Sequence, residues 1–122
     1  MRTKLFCLML MVSWALLMFP TIAQAKKLNK RDGVNYYNGI KETYYNLPMD
    51  RVLERADRNF GSHHKRWVNA DGCKMYGPYI ICAGPVEMYG EIVETSLGEG
   101  IILDTGAFCL ENKNALDLAV TW

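Results

Sequence analysis

The chain is short of charge of either sign: 14 Lys and Arg stand against 13 Asp and Glu, a formal net charge of +1. Without an excess of basic side chains, nothing calls for a nucleic-acid partner, and the Lys26–Arg31 cluster reads as a solvated leader to the domain. The sequence also lacks internal repeats, low-complexity tracts and Pro- or Gly-rich linkers, so neither a solenoid nor a string of domains fits. It has no Cys-x-x-Cys and no His-x-x-x-His spacing. His63-His64 with Cys73 and Cys82 therefore makes a poor zinc set, and no metal or other cofactor is expected.

What is present begins with a leader. Arg2 and Lys4 open the chain, Leu5–Phe19 is apolar, and Ala23-Gln24-Ala25 has the small-x-small form of a cleavage site. The apolar stretch is shorter than the about 20 residues that a membrane helix requires. A secretory signal peptide over 1–25 is expected, with an exported domain over 26–122 and no stable membrane span after cleavage. Removing Arg2 and Lys4 leaves 12 basic against 13 acidic side chains, a balance of −1, in 97 residues. That length suits one small domain. Of four cysteines, Cys73, Cys82 and Cys109 remain. Export permits a disulfide, and Cys82 with Cys109 is the candidate pair, since both lie in apolar, strand-like surroundings. Three unpaired cysteines acting as small apolar side chains are the alternative.

The pattern of the domain is strand-rich. Val34–Tyr45 reads as two short strands around Asn38-Gly39, a hairpin turn signal. A helix is predicted over 48–60: Asn46 can cap it, Pro48 suits its first turn, Val52, Leu53, Ala56 and Phe60 share a face, and Gly61 stops it. Arg51, Glu54, Arg55, Asp57 and Arg58 read as its solvated face. Strands follow at Arg66–Asn69 and Cys73–Met75 around Asp71-Gly72, at Tyr79–Ala83, and at Glu91–Ser96. Gly98-Glu99-Gly100 reads as a turn into Ile101–Leu103, and Ala115–Trp122 as the last strand. Many short strands with one helix predict a small β-barrel.

Two carboxylates stand out. The apolar run Ile101-Ile102-Leu103 ends on Asp104-Thr105-Gly106, which carries an acid to a strand end, and Asp117 sits inside the apolar strand Ala115–Val120, where an unpaired charge is costly. The bland reading of Asp104 is an Asx turn onto the amide of Gly106. That of Asp117 is a buried carboxylate held by amides or a hydroxyl. The tyrosines at 36, 37, 44, 45, 76, 79 and 89 invite a carbohydrate platform, but aromatics at strand positions more often pack. Asp-Thr-Gly-Ala after an apolar strand also matches the aspartic-protease signature. Only Ala107–Trp122 follows it, too little for a flap and a second glycine-bearing strand.

Leu103-Asp104-Thr105-Gly106-Ala107-Phe108 with Ala115-Leu116-Asp117-Leu118 resembles the end of the 3D (three-aspartate) domain, a family placed with the rare lipoprotein A-like double-psi β-barrels. Glu42-Thr43-Tyr44-Tyr45 is similar to its first barrel strand, and Met88-Tyr89-Gly90-Glu91 occupies the place of its Pro-Leu-Gly-Thr turn. The match spans Lys41–Val120, with the helix at 48–60 as an insertion. The family's first aspartate precedes a proline; here the dipeptide is Gly84-Pro85, with Glu87 nearby. The resemblance implies a mainly β fold, a six-stranded double-psi β-barrel with one inserted helix. It also implies an exported protein acting on peptidoglycan by lytic transglycosylase-like cleavage. In that picture Asp104 is the general acid/base, Asp117 its electrostatic partner, Thr105 a hydrogen-bond donor, and Thr43 and Tyr45 line the sugar groove. A non-catalytic barrel that binds cell-wall glycan or an envelope protein is the alternative that the missing aspartate leaves.

Overall fold

A computed structural model describes residues 26–122; the signal peptide expected over 1–25 lies outside the described residues. The fold is mainly β, a curled, mixed, barrel-like sheet with short helices. The strands are β1 (Asn35–Tyr37), β2 (Ile40–Tyr45), β3 (Arg66–Val68), β4 (Lys74–Tyr76), β5 (Tyr79–Gly84), β6 (Ile92–Thr95), β7 (Gly98–Thr105) and β8 (Ala115–Ala119). The helices are α1 (Asp50–Phe60) and α2 (Phe108–Glu111), with a 3₁₀ turn at Val86–Met88. Six strands follow one another in the order β1-β2-β8-β5-β4-β3, and the β6–β7 hairpin joins through β7 to β5. Among the described residues the expected six-strand sheet is thus present, extended by that hairpin.

The β1–β2 hairpin turns on Asn38 (φ 50°) and Gly39 (φ 77°), both in the left-handed region that a two-residue turn of matching twist requires. From there β2 runs parallel to β8, with Thr43 opposite Asp117 and Tyr45 opposite Ala119. β5 is shared: Tyr79 and Ile80 pair with β4, Cys82 and Ala83 pair antiparallel with β8, and β7 runs parallel to it. Such alternation of partners along one strand bends the sheet onto itself. A C-terminal clasp holds the bend, since Thr121 N–H donates to Gly72 O and Trp122 Nε1–H to Asp71 O.

Strand alternation splits the apolar residues between two faces. Ile80, Cys82, Ile102, Leu116, Leu118 and Val120 form one cluster with Leu28. Ile81, Ile101, Leu103 and Ala119 form the other, which α1 covers with Leu53 and Ala56. α1 starts at Asp50 rather than Pro48 and has no side-chain cap. Asn46 is spent elsewhere, its Oδ1 accepting from Lys74 Nζ at 2.8 Å. Gly61 ends the helix in the left-handed conformation, as expected (φ 62°). Phe60 does not join the buried face; it stacks on Tyr89 at 5.5 Å.

Three further expectations need correction. The Cys82–Cys109 disulfide is absent, and all three cysteines are free and buried. Cys82 lies in the first apolar cluster, whereas Cys109 belongs to α2 and points its sulfur at Ala115 O, so the two sit in different layers. Asp57 is not merely solvated: it accepts from Tyr76 and Arg66 and pairs with His63 at 3.1 Å, tying α1 to β4, β3 and the connecting loop. The Gly98–Gly100 turn is instead the start of β7, the reversal being made at Ser96-Leu97.

Candidate functional site

The two aspartates come together because β7 contains a bulge. Cys82 pairs with Ile102 and Ala83 with Asp104, so Leu103 is an extra residue without a partner on β5. In strict alternation Leu103 and Asp104 would face opposite ways. The bulge re-aims the second residue, and Asp104 comes to the same face as Leu103. Asp117 reaches that face by ordinary register, since Ala83 is its partner on β5. Asp104, Ala83, Asp117 and Thr43 therefore form one row across four strands, β7, β5, β8 and β2.

Each carboxylate has a hydroxyl partner on β2. Tyr45 Oη donates to Asp104 Oδ2 at 3.0 Å, and Thr43 Oγ1 donates to Asp117 Oδ1 at 2.9 Å. Thr43 and Tyr45 are i and i+2 on one strand, so both face the aspartate row. Their hydroxyls are thus committed to positioning carboxylates. Asp104 Oδ1 accepts the amide of Thr105 at 2.9 Å, not that of Gly106, so the Asx turn onto Gly106 is not formed. Asp117 Oδ2 takes no hydrogen bond from any described residue. No side-chain oxygen or nitrogen among the described residues is both fully buried and unpartnered, so this oxygen remains open to water. Both aspartates are half-buried.

The electrostatics of the row are asymmetric. Burial raises the Asp117 carboxyl above its usual range, the Thr43 hydroxyl opposes that shift, and the charge of Asp104 adds to it. Tyr45 is raised strongly, by burial first and by the Asp104 carboxylate next, so it stays a proton donor to Asp104. A carboxyl with raised proton affinity beside a carboxylate held by a phenol is an arrangement able to give and take a proton.

Thr105 is exposed, and its side chain makes no hydrogen bond among the described residues. It lines a groove of about 480 Å³ between the 3₁₀ turn and α2. Thr43 lines a smaller hollow of about 170 Å³ on the other side of α2, against Phe108. At Gly84, before Pro85, a Cβ would lie 3.0–3.2 Å from the Ile102 side chain, a tight contact that any side chain there would have to relieve. Glu87 is half exposed and faces Lys113 at 3.8 Å; it hydrogen-bonds neither aspartate.

Four of the seven tyrosines are engaged within the fold. Tyr76 is buried on Asp57, Tyr44 packs on Trp122, Tyr89 on Phe60, and Tyr45 serves Asp104. Among the described residues no three His, Cys, Asp or Glu side chains converge as a metal set. His63 pairs with Asp57 and His64 packs edge-on against Tyr76. Burial raises all three of these cysteine thiols, Cys73 to about 11, which disfavours the reactive thiolate form.

Sequence reasoning missed one polar centre entirely. Glu42, fully buried, accepts from Ser96 N–H (2.8 Å), Ser96 Oγ (2.6 Å) and Asn35 Nδ2 (3.2 Å), while Leu28 N–H donates to Ser96 Oγ. It fastens β1, the β6–β7 reversal and the N-terminal segment to the back of the strand whose front carries Thr43 and Tyr45. The available signal was the alternation of β2, which puts Glu42 on the apolar side with Ile40 and Tyr44. Compared with known protein families, curated proteins and solved structures, the chain matches none.

Proposed function

We propose that the chain is a rare lipoprotein A-like double-psi barrel, exported, that cleaves cell-wall glycan in the manner of a lytic transglycosylase, with Asp104 and Asp117 as its acid/base pair. The observation that carries this reading is the row Asp104–Ala83–Asp117–Thr43, with a phenol on one carboxylate and a hydroxyl on the other. The parallel pairs β2–β8 and β5–β7 around the antiparallel β5–β8 contact support the barrel type.

The chemistry asks little of the protein. One carboxylic acid gives its proton to the glycosidic oxygen as the anomeric C–O bond breaks. The sugar's own 6-hydroxyl then closes on the anomeric carbon, and its proton returns to a carboxylate. No water is consumed and no enzymic nucleophile is needed, so the carboxylate spacing of hydrolases does not apply. The sequence reading gave the acid role to Asp104. The raised proton affinity of Asp117 favours exchanging the roles, with Asp104, held by Tyr45, as the charged neighbour that keeps the proton on Asp117.

Incubating the 26–122 chain with purified sacculi tests this. Anhydro-muropeptides should be released, and Asp117→Asn and Asp104→Asn should each lower release by about 10²-fold or more. A second reading, a non-catalytic barrel that binds glycan or an envelope protein, is favoured by glycine at position 84, where an aspartate would also sit tightly against Ile102. Binding to sacculi without release would establish it and end the enzymic reading.

A further inference from the structure

The outer face of α1 sorts its charges into two rows. At about 100° per residue, Arg51, Arg55 and Arg58 fall within about 60° of one another, on the side turned away from the buried Leu53 and Ala56. Asp50, Glu54 and Asp57 form the neighbouring row. Two of those acids are spent outside the helix: Asp57 on Arg66 and His63, at 3.2 and 3.1 Å, and Asp50 on Arg66 at 3.9 Å. Cations from β3 and the loop before it thus take the carboxylates that α1 would otherwise offer its own arginines. Arg51, Arg55 and Arg58 are exposed, and none forms an ion pair with any described residue. Glu54 stands four residues before Arg58, the favoured order for a helical pair, and still forms none.

The helix gains nothing from this arrangement. Arg51 and Arg55 are like charges at i, i+4, and Arg55 and Arg58 at i, i+3, spacings at which repulsion weakens a helix. Arg51 also sits in the first turn, where the helix dipole favours an anion; only Arg58, in the last turn, is placed as the dipole prefers. Three cations kept together against these costs make a surface for negative charge.

The row also narrows the anion. Its members climb the helix axis in single file, by steps of about 6 and about 4.5 Å. An extended phosphodiester chain, with six backbone bonds per repeat, spaces its charges comparably, whereas a polysaccharide with one carboxylate per disaccharide spaces them more widely. The guanidinium fork fits phosphate oxygens two at a time. No aromatic residue belongs to the row, so a nucleobase has no ring to stack on; Phe60 lies on another side of α1, against Tyr89. No apolar residue belongs to it either, so it has nothing to insert between lipids. We infer that the outer face of α1 binds a linear, base-free phosphodiester polymer through Arg51, Arg55 and Arg58. This contact is separate from the aspartate row and independent of the glycan reading.

Short poly(glycerol phosphate) chains titrated into the 26–122 chain test it. Binding should be saturable, and log K should fall against log salt concentration with a slope of about −2, as three neutralised phosphates on a single chain require. Arg51→Gln, Arg55→Gln and Arg58→Gln should each lower affinity roughly fivefold at low salt and reduce the slope by about 0.7. Lys113→Gln removes a cation that already pairs with Glu87 and should change neither quantity. Arg51→Gln should melt no lower than the wild type, since it relieves like-charge repulsion, so its weaker binding is not unfolding. Absence of saturable binding, an unchanged slope in the three arginine variants, or an equal loss in Lys113→Gln overturns the assignment. Tighter binding of oligothymidylate of matched length also overturns it, because bases would then be read. Tighter binding of phosphatidylglycerol vesicles at matched phosphate does the same and makes the face a membrane contact. A lowered melting temperature in Arg51→Gln would show that the row serves the fold, and the polymer site falls with it.

Discussion

Asp117 is costly to keep, and the cost has a sign that can be measured. Its carboxyl is raised by burial first and by Asp104 second, so the folded chain holds that proton more tightly than the unfolded chain. The contribution to stability is full below the ordinary carboxylate value, about pH 4, and is lost as pH rises through the raised value. Asp117→Asn retains an oxygen for the Thr43 hydroxyl and removes the charge. It should melt above the wild type at pH 7, with the advantage shrinking toward pH 4. Calorimetry at both pH values checks this, and equal stability at pH 7 would remove the electrostatic asymmetry on which the acid assignment leans. Asp57 has the opposite sign. Tyr76 first, then Arg66 and His63, hold its carboxyl below the usual range, so its support is present at neutral pH and is lost in acid. Glu42 makes a different demand. Its removal strands two buried donors of Ser96, at about 1–3 kcal/mol each, while Asn35 keeps its bond to Lys26 O. Glu42→Ala should therefore cost several times what an exposed Glu→Ala costs, read from urea midpoints. The Ser96→Ala partner should lose part of the same energy, because it deletes one donor and the acceptor for Leu28.

Among the elements, those with a local cause were legible. The Asn38-Gly39 turn, the Gly61 stop and the apolar face of α1 are each written in a few adjacent residues. Leu53 is buried and belongs to the cluster beneath the aspartate row, so Leu53→Ala should cost about 2–5 kcal/mol. Chemical denaturation reads this; a loss well under 1 kcal/mol would mean that α1 rests on the sheet without supporting it. Elements set by distant partners were not legible. The bulge at Leu103 depends on β5, and nothing in Ile101-Ile102-Leu103-Asp104 marks it. α2 is four residues long, below the reach of any periodicity, and the surroundings of its Cys109 read as strand-like. The candidate site shares this division. Asp104 and Asp117 were named from their apolar surroundings, but their nearness depends on the bulge. The tasks of Thr43 and Tyr45, the burial of Glu42 and the Glu87–Lys113 contact come from pairings between residues tens of positions apart.

At the scale of the molecule, the last strand decides whether there is a fold at all. β8 lies between β2 and β5, so its backbone groups pair on both sides, and it carries Leu116, Leu118, Ala119 and Val120 into the two apolar clusters. Its partner β2 lies 74 residues earlier in register, as Thr43 opposite Asp117. Closing so long a loop precedes any gain from the contacts, which places such topologies among slow, millisecond-to-second folders. Until β8 docks, β2 and β5 are open edges and each cluster lacks a wall. A chain ending at Asn114 should therefore give no cooperative thermal transition and no near-ultraviolet dichroism, rather than a weakened barrel. Adding a peptide of residues 115–122 should restore both signals in proportion to its concentration, because binding to the folded form alone shifts the equilibrium by mass action. If the truncated chain melts cooperatively by itself, the sheet is held from the β4–β5–β7 side, and the aspartate row is an attachment to the fold instead of part of its frame.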